Sequence, residues 1–230
     1  MSNKINITYF VRKPSSLGNF SVETYYKIIK SNLDKEFNIK IYQLPFRSRG
    51  FIRRVLNCFF SYFHQGDINH IIGDIHYVNL FFSKKKTILT ILDCVALHSN
   101  KGFKRLIFKL FWFTIPIMRS NIITGISNAT IEDLKSHIKI PFDYEVIYFL
   151  TNSNLKSSSL NKIDKNKVKL LQIGTAANKN IERLACSISG LKCKLTIVGK
   201  LNNKQKEALK VNNIDYEEIN IRLTDSEIED

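Results

Sequence analysis

The stretch from Val168 to Lys200 constrains the fold of this chain more than any other segment, because it has the pattern of a β-α-β unit. It opens with an apolar, β-branched run that is typical of a buried parallel strand. A turn led by Gly174 follows, and Asn178 stands at the predicted N-cap of a helix that ends before Gly190. Residues 195–198 predict a second strand, so the segment indicates an α/β fold.

The turn between this strand and this helix, residues 174–180, has the clearest chemical signal in the chain. Unpaired N–H groups at a helix N-terminus and the positive end of the helix dipole both favour an anion. Lys179 lies in the predicted first helical turn, where the dipole disfavours a cation, so a phosphate in front of it would explain its position. A solvated surface lysine is the alternative, since the turn is neither a G-x-G-x-x-G fingerprint nor a P-loop.

Two strings in this segment, L-L-Q-I-G-T-A-A-N-K-N-I-E-R-L and K-L-T-I-V-G-K, resemble the start of the C-terminal domain of glycosyltransferase family 4. That family has two Rossmann-like domains facing across a cleft, the GT-B arrangement, and is typically retaining and independent of metal. The resemblance implies that Lys179, the lysine of the K-N pair, contacts the donor diphosphate, with Gly174, Thr175 and Asn178 beside it. Many members have an arginine shortly after the glycine; this chain has the G-T variant that some members share.

The net charge of +15 predicts attraction to an anionic partner, such as nucleic acid, an acidic membrane surface or a phosphorylated substrate. Most of it belongs to residues 1–150, which hold 21 Lys and Arg against 10 Asp and Glu. No nucleic-acid recognition motif accompanies these basic residues, so we expect no nucleic-acid partner. The hydrophobic content of 44% argues against wholesale disorder.

The beginning of the chain and its cysteines predict a cytoplasmic protein. No signal peptide precedes the alternating strand pattern of Ile5, Ile7, Tyr9 and Val11, and the four cysteines lack C-x-x-C or zinc-finger spacing. The longest apolar run, Leu110–Met118, is shorter than the roughly 20 residues that a membrane span needs. We therefore expect reduced thiols and a cytoplasmic protein, with peripheral docking at the inner face of the membrane as an open possibility.

Two basic and aromatic segments, residues 47–64 and 101–119, suit such docking. The first combines four arginines with four phenylalanines in a helical pattern, which favours apolar insertion together with attraction to anionic lipid. The second contains the only tryptophan, Trp112, which would suit an interfacial helix. Packing of the first segment on a sheet and burial of the second between domains are the alternatives.

A polar loop at residues 12–20 follows the first predicted strand and precedes a predicted helix. Its string G-N-F-S-V-E resembles the family's N-terminal loop, which lies over the donor phosphates and the acceptor. The resemblance implies that role for the four residues Gly18, Asn19, Phe20 and Ser21. From the residues alone, an ordinary β-α loop is the alternative.

Two further strings carry the predicted catalytic residues. The string H-I-I-G-D-I-H-Y resembles a segment that lines the family's cleft, which implies that His76 contacts the sugar or the acceptor. The string T-I-L-D-C resembles the family's T-I-H-D, but here Leu92 replaces the histidine and only Asp93 is kept. The trio His70, Asp74 and His76 matches no standard metal spacing, so we expect no metal or other cofactor.

Other patterns complete the predicted domains. They indicate strands at 38–44, 68–72, 86–92, 122–126 and 145–150, a helix at 129–137 capped by Ser127, and a final helix and strand at 203–210 and 214–219. A Ser- and Asn-rich linker at 151–166 separates a domain at 1–150 from one at 167–230. Thr224 and Glu227 form a capping box that announces another helix. We therefore expect an α/β, GT-B-like fold with a complete N-terminal Rossmann-like domain and a partial second Rossmann-like domain.

The resemblance implies an enzyme that in its intact form transfers a hexose from a nucleotide sugar to a lipid-linked or polysaccharide acceptor. In that reaction Lys179 would stabilise the departing diphosphate, while His76 and Asp93 would lie near the transferred sugar and the acceptor. The family's E-x7-E pair is not found in this sequence, and Leu92 cannot hydrogen-bond a sugar. We therefore expect the chain as given to be inactive or weak. The alternative is a non-catalytic, membrane-peripheral interaction module.

Overall fold

The computed structural model describes residues 4–13, 21–99, 102–149 and 168–220. The chain divides into two compact units, Met1–Thr151 and Asn152–Asp230. Three predicted features lie outside the described residues: the linker at 151–166, the loop residues Gly18, Asn19 and Phe20, and the capping box of Thr224 and Glu227. Of the fourth loop residue, Ser21, only the backbone is described, as the first residue of a helix.

The first unit is built on a sheet of six parallel strands, which are β1 Asn6–Val11, β2 Asn38–Gln43, β3 Ile68–Ile72, β4 Thr87–Ile91, β5 Ile122–Gly125 and β6 Tyr144–Val146. Their order in the sheet is β2-β1-β3-β4-β5-β6. The direction of strand addition reverses between β1 and β3. Open α/β sheets bind ligands at the carboxyl ends of the strands beside such a reversal.

Helices cover both faces of this sheet, and they are α1 Ser21–Leu33, α2 Phe51–Phe63, α3 Val95–Ser99, α4 Gly102–Phe108, α5 Ile115–Met118 and α6 Asn128–His137. A π-helical turn, Lys109–Thr114, joins α4 to α5, and 3-10 turns lie at His76–Phe81 and Lys84–Lys86. Tyr26 of α1 packs in one core cluster with Tyr9 and Ile39. Helices α2 and α6 contribute to the larger cluster, around Phe10 and Ile71, which lies on the other face.

Local chemistry explains where several of these elements begin and end. Ser127 caps α6 as predicted, because its Oγ accepts a hydrogen bond from the Thr130 N–H at 3.1 Å. Helix α2 begins at Phe51 and not at residue 47, since Gly50 has a φ of +80°. The predicted strand at 145–150 is also too long, because the partner strand β5 ends at Gly125, opposite Val146.

The second unit has three parallel strands in the order β7-β8-β9, namely β7 Val168–Ile173, β8 Cys193–Val198 and β9 Tyr216–Ile219. Helices α7 Ile181–Ile188 and α8 Asn203–Val211 both pack against one face, around Ile197. On the other face Leu171 and Ile173 are 52% and 50% exposed. The prediction of a buried strand is wrong for that face of β7, because both described helices lie on the opposite one.

Candidate functional site

The turn after β7 holds the predicted diphosphate-binding residues in a fixed conformation. Gly174 has a φ of +85°, which only glycine adopts readily, and its N–H donates to the Val198 carbonyl at 2.8 Å. Thr175 Oγ1 donates to the Lys200 carbonyl at 2.7 Å, and the Thr175 carbonyl accepts a hydrogen bond from Gln205 Nε2 at 2.8 Å. These three hydrogen bonds attach the turn to the end of β8 and to α8.

The Lys179 side chain folds back over this turn. Its Cε lies 3.3 Å from the position that a Cβ atom at Gly174 would occupy, and its Cγ and Cδ lie within 4 Å of the same point. Lys179 is exposed, and none of the ion pairs formed by the described residues includes it. The turn therefore presents a cation at the carboxyl end of β7 that has no ion-pair partner within the described part of the chain.

The helix after the turn begins later than predicted. Asn178 lies in a 3-10 turn, Ala177–Lys179, and α7 begins at Ile181 after Asn180, whose φ is 51°. Asparagine tolerates this left-handed conformation, which lets the chain make one extra turn before the helix. Asn178 is therefore not the N-cap, and Lys179 precedes the first helical turn. The N–H groups of that turn lack intrahelical partners, so they remain suited to an anion.

In the first unit, the carboxyl ends of β3 and β4 carry the two predicted catalytic residues. His76 begins the 3-10 turn after β3 and is only 4% exposed. Its Nδ1–H donates to the Trp112 carbonyl at 2.7 Å, which leaves Nε2 as the acceptor nitrogen. Asp93 follows β4, is exposed, and accepts a hydrogen bond from the Val95 N–H at 3.1 Å. Asp93 lies near enough to His76 for its negative charge to act on the pKa of His76 in the upward direction.

A third residue, Asp74, belongs to the same cluster, and the sequence prediction considered it only as a metal ligand. Its Oδ1 accepts a hydrogen bond from Trp112 Nε1 at 3.0 Å. Desolvation by the surrounding protein raises the pKa of the Asp74 carboxyl, and the neighbouring His76 opposes that shift. Burial lowers the pKa of His76, and Asp74 opposes that shift in turn, so His76 is uncharged at neutral pH. The signal that could have found the pair is Asp-x-His directly after a strand.

The remaining histidine of the predicted trio, His70, has a structural role. Its Nε2 and Thr90 Oγ1 are hydrogen-bonded at 2.7 Å, and Thr90 Oγ1 is 2.6 Å from Thr124 Oγ1. The ring packs on Tyr9 with 5.0 Å between ring centroids. Burial lowers the pKa of His70 to about 3. This row of hydrogen bonds across β3, β4 and β5 satisfies the buried imidazole of His70, so no ligand is needed to explain its position.

Helix α2 buries small and polar side chains and exposes its large apolar ones. Its buried residues are Asn57, Cys58 and Ser61, and Asn57 Nδ2 donates to the Phe46 carbonyl at 2.9 Å and to Tyr77 Oη at 3.0 Å. On the outside lies what we name the α2 patch, formed by Phe51, Ile52, Phe59 and Phe63, which are 80%, 73%, 52% and 76% exposed. The helix therefore packs Cys58 and Phe60 against the core, while most of its large apolar side chains do not face the sheet.

The helix formed by α4 and the π-helical turn exposes a second apolar surface. This α4 patch consists of Phe103, Leu106, Ile107, Leu110 and Phe111, which are 41–76% exposed. Trp112 is only 5% exposed, so the expectation that it lies at an interface is wrong. Its ring stacks on Phe108 at 4.3 Å, and the Arg54 guanidinium lies 4.4 Å from the ring centroid. No helix in the described part of the chain has the length and apolar composition to cross a bilayer.

No protein-family model and no curated protein matches this chain. Solved structures with a similar fold include Anabaena HepE in complex with UDP and glucose, at 12% identity and a TM-score of 0.57, over 94% of this chain and 70% of that chain. A putative UDP-N-acetylglucosamine 2-epimerase from Listeria monocytogenes is 12% identical, with a TM-score of 0.56, over 97% of this chain and 70% of that chain. S. aureus MnaA with UDP is 10% identical, with a TM-score of 0.52, over 94% of this chain and 68% of that chain.

These similarities establish the fold. The predicted α/β, GT-B-like fold is confirmed, because each unit contains a parallel sheet with helices and the similarity in fold extends over 94–97% of this chain. At 10–12% identity, likeness of structure does not carry over a reaction or a substrate. Membership of glycosyltransferase family 4 remains a prediction from the sequence motifs.

Proposed function

We propose that this protein is a nucleotide-sugar-dependent glycosyltransferase of the GT-B superfamily, related to family 4. In this proposal it transfers a hexose to a lipid-linked or polysaccharide acceptor. The observation that carries the proposal is the turn after β7, where Lys179 lies across Gly174 in front of the N-terminus of α7. UDP is the first nucleotide to test, because it is bound in two of the neighbouring structures.

The turn offers a diphosphate three favourable features at once. Lys179 supplies a positive charge, α7 supplies unpaired N–H groups and its dipole, and the hydrogen bonds of Thr175 and Gly174 hold the loop in place. Preorganised groups of this kind stabilise the negative charge that develops on a departing diphosphate. No metal ion is needed at this turn for that purpose.

The cluster at the carboxyl ends of β3 and β4 has groups that can orient a sugar or an acceptor. Neutral His76 offers Nε2 as an acceptor for a hydroxyl, and the carboxylates of Asp74 and Asp93 offer further acceptors. In this proposal Asp93 and His76 position the transferred sugar and the acceptor. The apolar Leu92 adds no hydrogen bond there.

Calorimetric titration of the 230-residue chain with UDP, UMP and uridine tests the proposal. A diphosphate site predicts that UDP binds more tightly than UMP, and that a chelator such as EDTA leaves the UDP affinity unchanged. Equal affinities for UDP and UMP, or no binding of either, would overturn the assignment of the turn. Incubation with a UDP-sugar in the absence of an acceptor distinguishes glycosyl transfer from epimerisation. An epimerised sugar nucleotide as the product would contradict glycosyl transfer.

The α2 and α4 patches support a second candidate function, docking to an anionic membrane surface. Full burial of one Phe or Ile side chain is worth about 1.5–3 kcal/mol. Exposed basic residues adjoin both patches, among them Arg49, Arg53 and Lys104, and each near an anionic surface adds about 1 kcal/mol. Apolar insertion and anionic attraction thus act from the same helices, which distinguishes a bilayer from an uncharged protein partner.

Co-sedimentation with lipid vesicles tests this second function. We expect binding to vesicles that contain about 30% phosphatidylserine, and weak binding to pure phosphatidylcholine, because the basic residues need anionic lipid. Absence of binding to both would exclude the membrane and leave a protein partner as the occupant of the patches. Vesicle binding without UDP binding would favour the non-catalytic module.

A further inference from the structure

A cluster of two histidines and one carboxylate lies in the first unit, away from the residues assigned above. His98 Nε2 is 2.9 Å from both Asp133 oxygens, and His137 Nε2 is 3.5 Å from Asp133 Oδ1. The two Nε2 atoms are themselves 3.5 Å apart. In the described part of the chain, this is the group whose ligand atoms all lie within 4.8 Å of one another.

Two short elements bring these three side chains together. Asp133 and His137 are four residues apart on α6, so they lie on the same side of the helix. His98 comes from α3, and its ring meets that of His137 edge to face at 4.8 Å between centroids. The sequence signal was the Asp-x-x-x-His spacing on a helix, which becomes meaningful only once His98 is placed beside it.

We propose that His98, Asp133 and His137 form a binding site for a zinc ion. Zinc binds imidazole nitrogen and carboxylate oxygen at about 2.0–2.2 Å, and tetrahedral ligands around it are therefore about 3.3 Å apart. The three measured separations, 2.9, 3.5 and 3.5 Å, bracket that value. Two imidazoles with one carboxylate suit zinc better than magnesium or calcium, which prefer oxygen ligands throughout.

The fourth coordination position is open to solvent in this arrangement. A cavity of about 210 Å³ adjoins His137 and is lined in part by Arg105 and Lys109. Water or a small anion can therefore complete the tetrahedron, with the two cations facing the anion. Side-chain exposures of 56% for His98 and 35% for Asp133 leave the ion a path from solvent.

One contact must change when the metal binds. Arg105 Nη2 lies 3.4 Å from His137 Nδ1 and acts there as a donor. A zinc ion on Nε2 leaves the proton on Nδ1, which then becomes a donor itself and repels the guanidinium. Arg105 is exposed, so it can turn towards the cavity without disturbing the fold.

Zinc at this site tethers α3 to α6. Helix α3 begins two residues after Asp93, so the tether also restrains the turn that carries this predicted catalytic residue. The inference does not depend on the proposed transferase activity, because the three ligands belong to the first unit and none contributes to the turn after β7.

Zinc titration of the metal-stripped, 230-residue protein tests the site. The protein is treated with EDTA, desalted, alkylated with iodoacetamide to block accessible thiols, and titrated with zinc chloride in competition with a chromophoric chelator. We expect one equivalent of zinc per chain. His98→Gln, Asp133→Asn and His137→Gln should each weaken zinc affinity by more than the roughly 10–100-fold that the loss of an outer-shell partner costs. His64→Gln and Asp34→Asn are the matched controls and should bind like wild type.

Two further readouts separate the site from a surface ion. Cobalt(II) in place of zinc should give the visible absorption of a tetrahedral site, and Asp133→Asn should abolish it. At a hundredfold excess over the dissociation constant, zinc should raise the melting temperature of the wild type by about 5 °C and leave that of His98→Gln unchanged. Binding that survives all three ligand substitutions would mean an adventitious ion only, and absence of stoichiometric binding would equally overturn the proposal.

Discussion

The Lys179 side chain lies across Gly174, with its Cε 3.3 Å from the position that a Cβ atom there would occupy. Glycine at this position therefore does two things, because it permits the φ of +85° and it leaves room for the lysine stem. The position of the Lys179 side chain in front of α7 depends on the absence of a side chain at Gly174, five residues earlier in the chain. Four measurable consequences follow from this and other contacts.

Gly174→Ala should destabilise the second unit and weaken UDP binding. The left-handed backbone costs an alanine about 1–2 kcal/mol, and the new methyl group crowds Lys179. Gly190→Ala is the matched control, because Gly190 has a φ of +78° and no atom lies within 4 Å of the added methyl group. Urea unfolding should show similar losses of stability for both variants, whereas calorimetry should show weaker UDP binding for Gly174→Ala alone. Equal UDP affinities in the two variants would contradict the role of the glycine.

Lys179→Met should weaken UDP binding by about tenfold or more, since a hydrogen bond to a charged group is worth about 1.5–3 kcal/mol. The methionine keeps the length of the stem and removes the charge. Lys210→Met, on the exposed side of α8, is the control and should leave the affinity unchanged. The salt dependence of UDP affinity should also be weaker in Lys179→Met. Unchanged affinity would identify Lys179 as a solvated surface lysine.

A triple substitution in the α2 patch, Phe51→Ser, Ile52→Ser and Phe63→Ser, should abolish binding to anionic vesicles. All three side chains are more than 70% exposed, so their removal leaves no cavity in the core. Val211→Ser in α8 is the control, because Val211 is 68% exposed but belongs to neither patch. Sedimentation with phosphatidylserine vesicles provides the measurement. If the triple variant still sedimented like wild type, insertion of this helix would be ruled out.

The pKa of His70 predicts how stability depends on pH. The His70 side chain takes up a proton near pH 6.5 in the unfolded state but only near pH 3 in the folded state. As the pH decreases from 6.5 towards 3, the contribution of His70 to the free energy of unfolding therefore falls by about 1.4 kcal/mol per pH unit. His70→Asn removes this contribution, so the stability gap between wild type and variant should narrow by about 2 kcal/mol from pH 7.5 to pH 5. Urea unfolding at both pH values measures it. A constant gap for His70→Asn would be inconsistent with a buried, neutral His70.

Strands and their order of appearance were predictable because each carries its own hydrophobic pattern. The prediction for β3, residues 68–72, matches the structure, and the Ser127 cap was visible from its spacing to the helix. Such features depend on a few neighbouring residues. They are therefore readable without knowledge of what the element packs against.

Features that depend on a distant partner could not be predicted. The orientation of α2 follows from Asn57, whose amide bonds to Phe46 and Tyr77, and a hydrophobic pattern alone would have turned the phenylalanines inwards. The left-handed Asn180 displaced the start of α7 by two residues beyond the expected N-cap. In the candidate site, the Asp-x-His spacing could have indicated Asp74, but its hydrogen bond to Trp112, 38 residues away, could not be predicted from the sequence.

Trp112 is the only tryptophan in the chain, and it contacts both Asp74 and His76 while stacking under Arg54 of α2. Tryptophan fluorescence therefore reports on the first unit alone, because the second unit contains no tryptophan. Tryptophan emission follows the unfolding of the first unit, while circular dichroism follows the loss of secondary structure in both units. The separation between the two unfolding curves is thus a direct measure of how independently the two units fold, obtained from the native protein without a label.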